Sequence, residues 1–112
     1  MPDYPRVGAV VSVGDWFFDD EALPDTGFTG GVIIPNHYIN EVPIAPQFGT
    51  LVLGNGQVVD ALFWEGEFSV GELDVSTTVW ALGNDFILGR EVLDQLEICF
   101  VFGREVRLRF AE

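Results

Sequence analysis

The stretch TLVLGNGQVVDALFW, residues 50–64, sets the class of fold: two β-branched runs joined by Asn55-Gly56. Asn-Gly in that setting predicts a two-residue type I′ turn, in which both central residues take positive φ. A lone hairpin is only marginally stable in water, so other strands must cover it. The rest of the chain supplies them in short, turn-bounded runs. RVGAVVSV (6–13) reads as a strand, and DWFFDDEAL follows with a turn expected at its acidic centre. GGVIIP (30–35) is a buried-strand run closed by Pro35. NHYINEVPIAPQFG reads as an irregular connection with one helical turn near 36–41, because its two prolines forbid a long helix. GEFSV and LDVSTTVWALG are further strands. In REVLDQLEI (90–98), Val92, Leu93 and Leu96 fall at helical spacing and predict the one helix of the chain. ICFVFGREVRLRF is a second hairpin, in which Val106, Leu108 and Phe110 alternate with Glu105, Arg107 and Arg109. No internal repeat, low-complexity tract or linker divides these elements. Residues 1–112 are therefore read as a single all-β domain, closed or barrel-like, with one short C-terminal helix.

Composition narrows the function classes. With 48% hydrophobic residues, 10 Phe and 3 Trp, a chain of 112 residues can build a core, and disorder is excluded. Trp16, Trp64 and Trp80 are candidate core or interface anchors. No apolar run approaches the roughly 20 residues that span a bilayer, so no membrane partner is expected. The start, MPDYPRVGAV, lacks a basic segment followed by a long apolar one, and no signal peptide is read there. Cys99 is the sole cysteine and lies in the apolar run LEICFVF, which reads as a reduced thiol in the core and favours the cytoplasm. The net charge of −13, from 18 acidic residues against five Arg and no Lys, repels phosphate backbones and argues against nucleic-acid binding. One Cys and one His exclude a structural zinc site, and His37 reads as a solvated loop residue. Asp19-Asp20-Glu21 reads as a solvated turn.

Against that background ALPDTGFTGGVIIP, residues 22–35, poses a question. Asp25 stands among apolar and small residues, and burying an ionised carboxylate without partners costs several kcal/mol. Asp25 is therefore either a surface turn residue or a group whose burial has a purpose. Asp-Thr-Gly alone is weak evidence, because chance produces it in roughly a few per cent of chains. Its setting adds weight: an apolar segment leads in, glycines allow a ligand backbone to approach, and a β-run leads out. Two further features accompany it. FILGREVL (86–93) ends a strand on Gly89 and opens a helix with Arg90 and Glu91. The hairpin tip LGNGQ is glycine-rich, as a lid over a cleft should be.

Asp25-Thr26-Gly27, a glycine-tipped hairpin, and Ile87-Leu88-Gly89-Arg90 opening a helix, in that order, resemble the retropepsin-like aspartic proteases. These are single-domain, homodimeric relatives of pepsin, and ALPDTGFTGGVIIP and FILGREVLDQLEICFVF are similar to their small prokaryotic members. The likeness covers about residues 6–110. It implies an aspartic endopeptidase of the acid-protease fold, with a flap hairpin, acting on extended polypeptides and needing no cofactor or metal. With one Asp-Thr-Gly per chain, it implies a homodimer that brings two such loops together. The paired carboxylates would share a proton; one would activate water as general base, and the other would protonate the scissile carbonyl.

By the same resemblance Asp25 would be the catalytic carboxylate, Thr26 would lock the two loops across the axis, and Gly27 would present backbone groups to substrate. Gly54, Asn55 and Gly56 would form the flap tip over an extended peptide. Ile87 would line side-chain pockets, Gly89 would allow close packing behind the catalytic loop, and Arg90 would support it. Viral members carry an acidic residue four positions after the catalytic Asp as the partner of that Arg. Here the position is Thr29, so Arg90 needs another partner. Pro24 replaces the usual aliphatic residue and removes a backbone donor from the lead-in strand. The alternative from another class is a catalytically inactive peptide-binding or dimerisation module of the same fold.

Overall fold

In the computed structural model, residues 6–53, 55–71, 73–101 and 105–110 are described, those from 96 onward by their backbone alone. Nine strands, one 3-10 turn and one short helix make up these residues. Strands β1 (Val7–Val13) and β2 (Trp16–Pro24) form a ladder from Val7↔Ala22 to Val13↔Trp16, joined by the two-residue turn Gly14-Asp15. The turn expected at Asp19–Glu21 is therefore not there. It lies earlier, where Gly14 takes φ +59°, and the acidic run continues the ladder with its side chains exposed. An antiparallel strand tolerates charge on a wet stretch, and only the glycine supplies positive φ without steric cost.

Strand β3 (Val32–Ile34) leads to a 3-10 turn at Asn36–Asn40 and then to β4 (Gln47–Val52). Strand β5 (Val58–Val70) pairs with β4 over its first half and with β6 (Leu73–Ala81) over its second. GEFSV is thus the second half of one 13-residue strand rather than a strand of its own. Strand β7 (Ile87–Leu88) precedes helix α1 (Arg90–Leu93), and β8 (Leu96–Val101) pairs with β9 (Glu105–Phe110) as a separate two-stranded sheet.

The main sheet runs β1-β2-β7-β3-β6-β5-β4, and a further pairing of β1 with β5 closes six of these strands into a barrel. Closure takes place beside Gly66. A Cβ there would overlap the Ser12 carbonyl, so the missing side chain lets β1 lie across β5. The barrel fills with Val11, Val13, Phe18, Val32, Ile34, Trp64, Phe68, Val79, Leu88 and Val92, each 6% exposed or less. Burying a side chain of the size of Phe68 stabilises by about 1.5–3 kcal/mol. Trp64 adds a polar anchor, since its indole N–H donates to the Ile44 carbonyl at 2.7 Å.

All three residues of β3 are buried, which a strand covered on one face cannot achieve. Val32 and Ile34 join the barrel cluster, whereas Ile33 joins a second one with Phe28, Leu51, Ala61 and Trp80. Leu53, Val59, Phe63 and Ile87 pack against that second cluster, so the β4–β5 hairpin folds over the outer face of β3, β6 and β7.

The predicted helix over 90–98 is confined to Arg90–Leu93. Asp94 N–H bonds to the Arg90 carbonyl and Gln95 N–H to the Val92 carbonyl, which tightens and ends the last turn. From Leu96 the apolar period changes to two, and Leu96, Ile98 and Phe100 face Phe110, Leu108 and Val106 in the β8–β9 register. The side chain of Cys99, expected in the core, lies outside the described residues. No helix among the described residues is long and apolar enough to cross a membrane.

Candidate functional site

The order of strands in the sheet creates the site. β2 and β3 follow one another in sequence, yet β7 lies between them, parallel to β2 and antiparallel to β3. Residues 25–31 must therefore arch over the end of β7, and the chain leaving β7 at Gly89 passes directly behind that arch. A Cβ on Gly89 would overlap the Gly30 carbonyl and sit 2.5 Å from the Phe28 ring, so only glycine allows the crossing.

The arch is held from both sides. Asp25 N–H donates to the Leu88 carbonyl at 2.9 Å and continues the β2–β7 ladder. From the chain just beyond β7, Gly89 N–H donates to Gly31 O at 2.7 Å, Arg90 N–H to Phe28 O at 2.7 Å and Glu91 N–H to Gly30 O at 3.0 Å. Within the arch, Asp25 Oδ1 accepts the Gly27 N–H at 2.9 Å, an Asx turn that fixes the carboxylate, and Phe28 N–H returns to the Asp25 carbonyl at 3.2 Å. Pro24 fits without loss on the β7 side. Leu23 and Asp25 donate to Phe86 and Leu88, so the N–H that proline lacks would have pointed away from β7.

Asp25 is half-buried and opens into a groove of about 520 Å³ lined by Asp25, Gly27, Phe28, Ile33, Leu53, Asn55 and Ile87. The carboxylate is the one titratable group among these residues, and the rest of the lining is mostly apolar. Of the residues singled out in the sequence, Asp25, Gly27, Asn55 and Ile87 meet here although they come from three separate stretches. Thr26 is exposed and does not line the groove. Gly54 lies outside the described residues. Gly56 is exposed at the tip with φ +85°. The tip differs from the expected type I′ turn. Gly56 N–H donates to Leu53 O and Leu53 N–H to Gln57 O, the pattern of a three-residue loop whose last residue forms a glycine bulge. Asn55 then turns its side-chain oxygen to the Gln57 N–H at 2.9 Å.

Gly89 and Arg90 stand behind the arch and act through backbone. The Arg90 guanidinium pairs with Asp94 at 3.8 Å on the exposed side of α1. This is the partner left open by Thr29. Phe28, Ile33 and Leu53 were not singled out in the sequence. Ile33 had a usable signal, since the middle residue of a run buried throughout must face a second layer.

A second hollow, lined by Ser12, Gly14, Glu65, Gly66, Glu67 and Ser76, shares no residue with the groove. Among the described residues no group of three or more His, Cys, Asp or Glu converges as a metal site would require. A fixed carboxylate on an apolar groove can take a proton from water. Protonating a carbonyl in the same step takes a second acid, which none of the described residues lining the groove supplies. No protein-family model matches the chain, and no curated protein matches it.

Proposed function

We propose that the protein is an aspartic endopeptidase of the retropepsin type, with Asp25 of two copies forming the catalytic pair. The observation that carries this reading is the meeting of Asp25 with Leu53 and Asn55 of the hairpin tip and with Ile87 around one groove. An extended peptide laid there would run beneath the hairpin, with apolar side chains against Phe28, Ile33 and Ile87. Asp25 of one copy, as carboxylate, takes a proton from the attacking water while Asp25 of the other, as acid, protonates the scissile carbonyl. Carboxylates about 3 Å apart cannot both ionise cheaply, so the pair holds one proton.

The second copy is called for by the lone titratable group in the groove, and charge restricts where it can dock. Residues 1–95 carry 15 carboxylates against two Arg, whereas 96–112 balance three Glu with three Arg. Two bodies of that charge repel. Residues 96–112, neutral in sum, hold the β8–β9 ladder, in which Leu96, Ile98 and Phe100 stand opposite Phe110, Leu108 and Val106, and this segment is where two copies can meet.

The test is cleavage of a mixed library of unstructured peptides between about pH 4 and pH 8, by the wild type beside Asp25→Asn. The expected result is cleavage by the wild type, blocked by a statine-type transition-state mimic and absent in the variant. Peptide binding without cleavage at any pH, by a protein that sediments as a dimer, would replace this reading with that of a non-catalytic peptide-binding module.

A further inference from the structure

Resting on that reading, we infer that Glu91 is a positioning residue for the catalytic loop, acting by locking the start of α1 to β6. One oxygen of its carboxylate, Oε1, gathers three donors from β6: the Thr77 hydroxyl at 3.1 Å, the Thr78 N–H at 3.3 Å and, more distantly, the Thr78 hydroxyl at 3.5 Å. Thr77 is the only buried polar residue among the described residues, at 3% exposure. Its other acceptor is the Thr78 carbonyl at 3.4 Å, so Glu91 is the nearer partner of a hydroxyl that has little access to water.

The connection to Asp25 runs through the main chain. Gly89, Arg90 and Glu91 donate the three N–H bonds that hold Gly31, Phe28 and Gly30. The loop also rests on the same two threonines, because a Cβ on Gly31 would overlap both Thr77 Oγ1 and the Thr78 carbonyl. Loop, helix start and β6 thus meet at one point, and the Glu91 carboxylate is the side chain that ties the last two. Without it α1 loses its polar tie to β6, and the three N–H bonds that the start of the helix donates to the loop open more often. The loop can then shift, and Asp25 shifts with it. A displacement near 1 Å at a reacting group costs on the order of a hundredfold in rate. Of the groove wall, Gly27 and Phe28 move with the loop, whereas Ile33, Leu53 and Ile87 belong to other elements and stay in place, so binding is largely spared.

The experiment compares Glu91→Ala, Glu91→Gln and, as a control on the same turn, Asp94→Asn, in the full chain. Peptide cleavage gives kcat and KM, and amide hydrogen exchange at Gly89, Arg90 and Glu91 reports the clamp without reference to activity. Expected are a fall in kcat of at least about tenfold in Glu91→Ala with KM within about threefold, recovery of most of it in Glu91→Gln, which keeps an acceptor oxygen, and no change in Asp94→Asn. Exchange at the three amides should accelerate in the alanine variant only. A loss carried by KM, a kcat unchanged in the alanine variant, or unchanged exchange would each overturn the inference. Accelerated exchange in a protein whose wild type cleaves nothing would uphold the clamp and refute the protease reading instead.

Discussion

Replacing Gly89 by alanine tests the crossing on which the site depends. At φ −93° and ψ 178° any residue can occupy this position, so backbone strain plays no part. Chain entropy alone would make the change favourable by about 0.4–1 kcal/mol. The added Cβ, however, would overlap the Gly30 carbonyl and lie 2.5 Å from the Phe28 ring. An ordinary contact needs close to 1 Å more, and neither neighbour is the free end of a flexible chain. The arch must lift from β7, which weakens the three bonds donated by Gly89, Arg90 and Glu91. At about 1 kcal/mol per bond, less the entropic gain, the net loss is about 2–3 kcal/mol. With a urea slope of about 1–3 kcal/mol per molar, the unfolding midpoint should fall by roughly 0.7–3 M. Gly8→Ala is the matched control, because nothing lies within 4 Å of its added Cβ. Its midpoint should stay level or rise. Both are read by tryptophan fluorescence at one protein concentration, since association would shift either midpoint. A Gly89→Ala midpoint equal to that of Gly8→Ala would refute the close crossing behind the loop that carries Asp25.

Three other outcomes are expected. Trp64→Phe removes the donor to the Ile44 carbonyl from a side chain 2% exposed and should cost about 2–3 kcal/mol in urea unfolding. Gly56→Ala should destabilise by about 1 kcal/mol, with Gly56→Asn milder, because φ is +85° there and nothing crowds the added Cβ. A steric origin would instead make the larger residue worse in denaturant titrations. Thermal unfolding should shift upward by several degrees as salt is raised, since screening weakens the self-repulsion of a chain with net charge −13; a melting temperature that falls with salt would show that attractive pairs dominate.

Much of the fold is written locally. Period-two runs and glycine turns mark β1, β6 and both hairpins, a continuous apolar run marks β3, and the helical turn expected near 36–41 is the 3-10 turn at Asn36–Asn40. Local reading went astray where two patterns compete. Val92, Leu93 and Leu96 suit a helix, but Leu96 also begins an alternation that a partner strand can satisfy, and the ladder prevails. The acidic centre of β2 looks like a turn until Gly14 takes that role, and Asn55-Gly56 allows either a two-residue turn or the bulged loop that forms.

By itself the sequence determined the strand-rich class, the turns that only glycine permits, and the residue types of the candidate chemistry, because each depends on a residue and its near neighbours. The tertiary structure alone decided that β7 slips between β2 and β3, that Gly89 passes behind Asp25, and that Ile33 faces the hairpin. It also decided that Glu91 reaches Thr77 while Arg90 turns to Asp94. These pairings join residues that lie far apart along the chain, except Arg90 with Asp94, and exist only once the barrel has closed. A strand carries in its own pattern which face is apolar. Which strand lies beside it depends on the sum of packing and hydrogen bonds over the whole sheet.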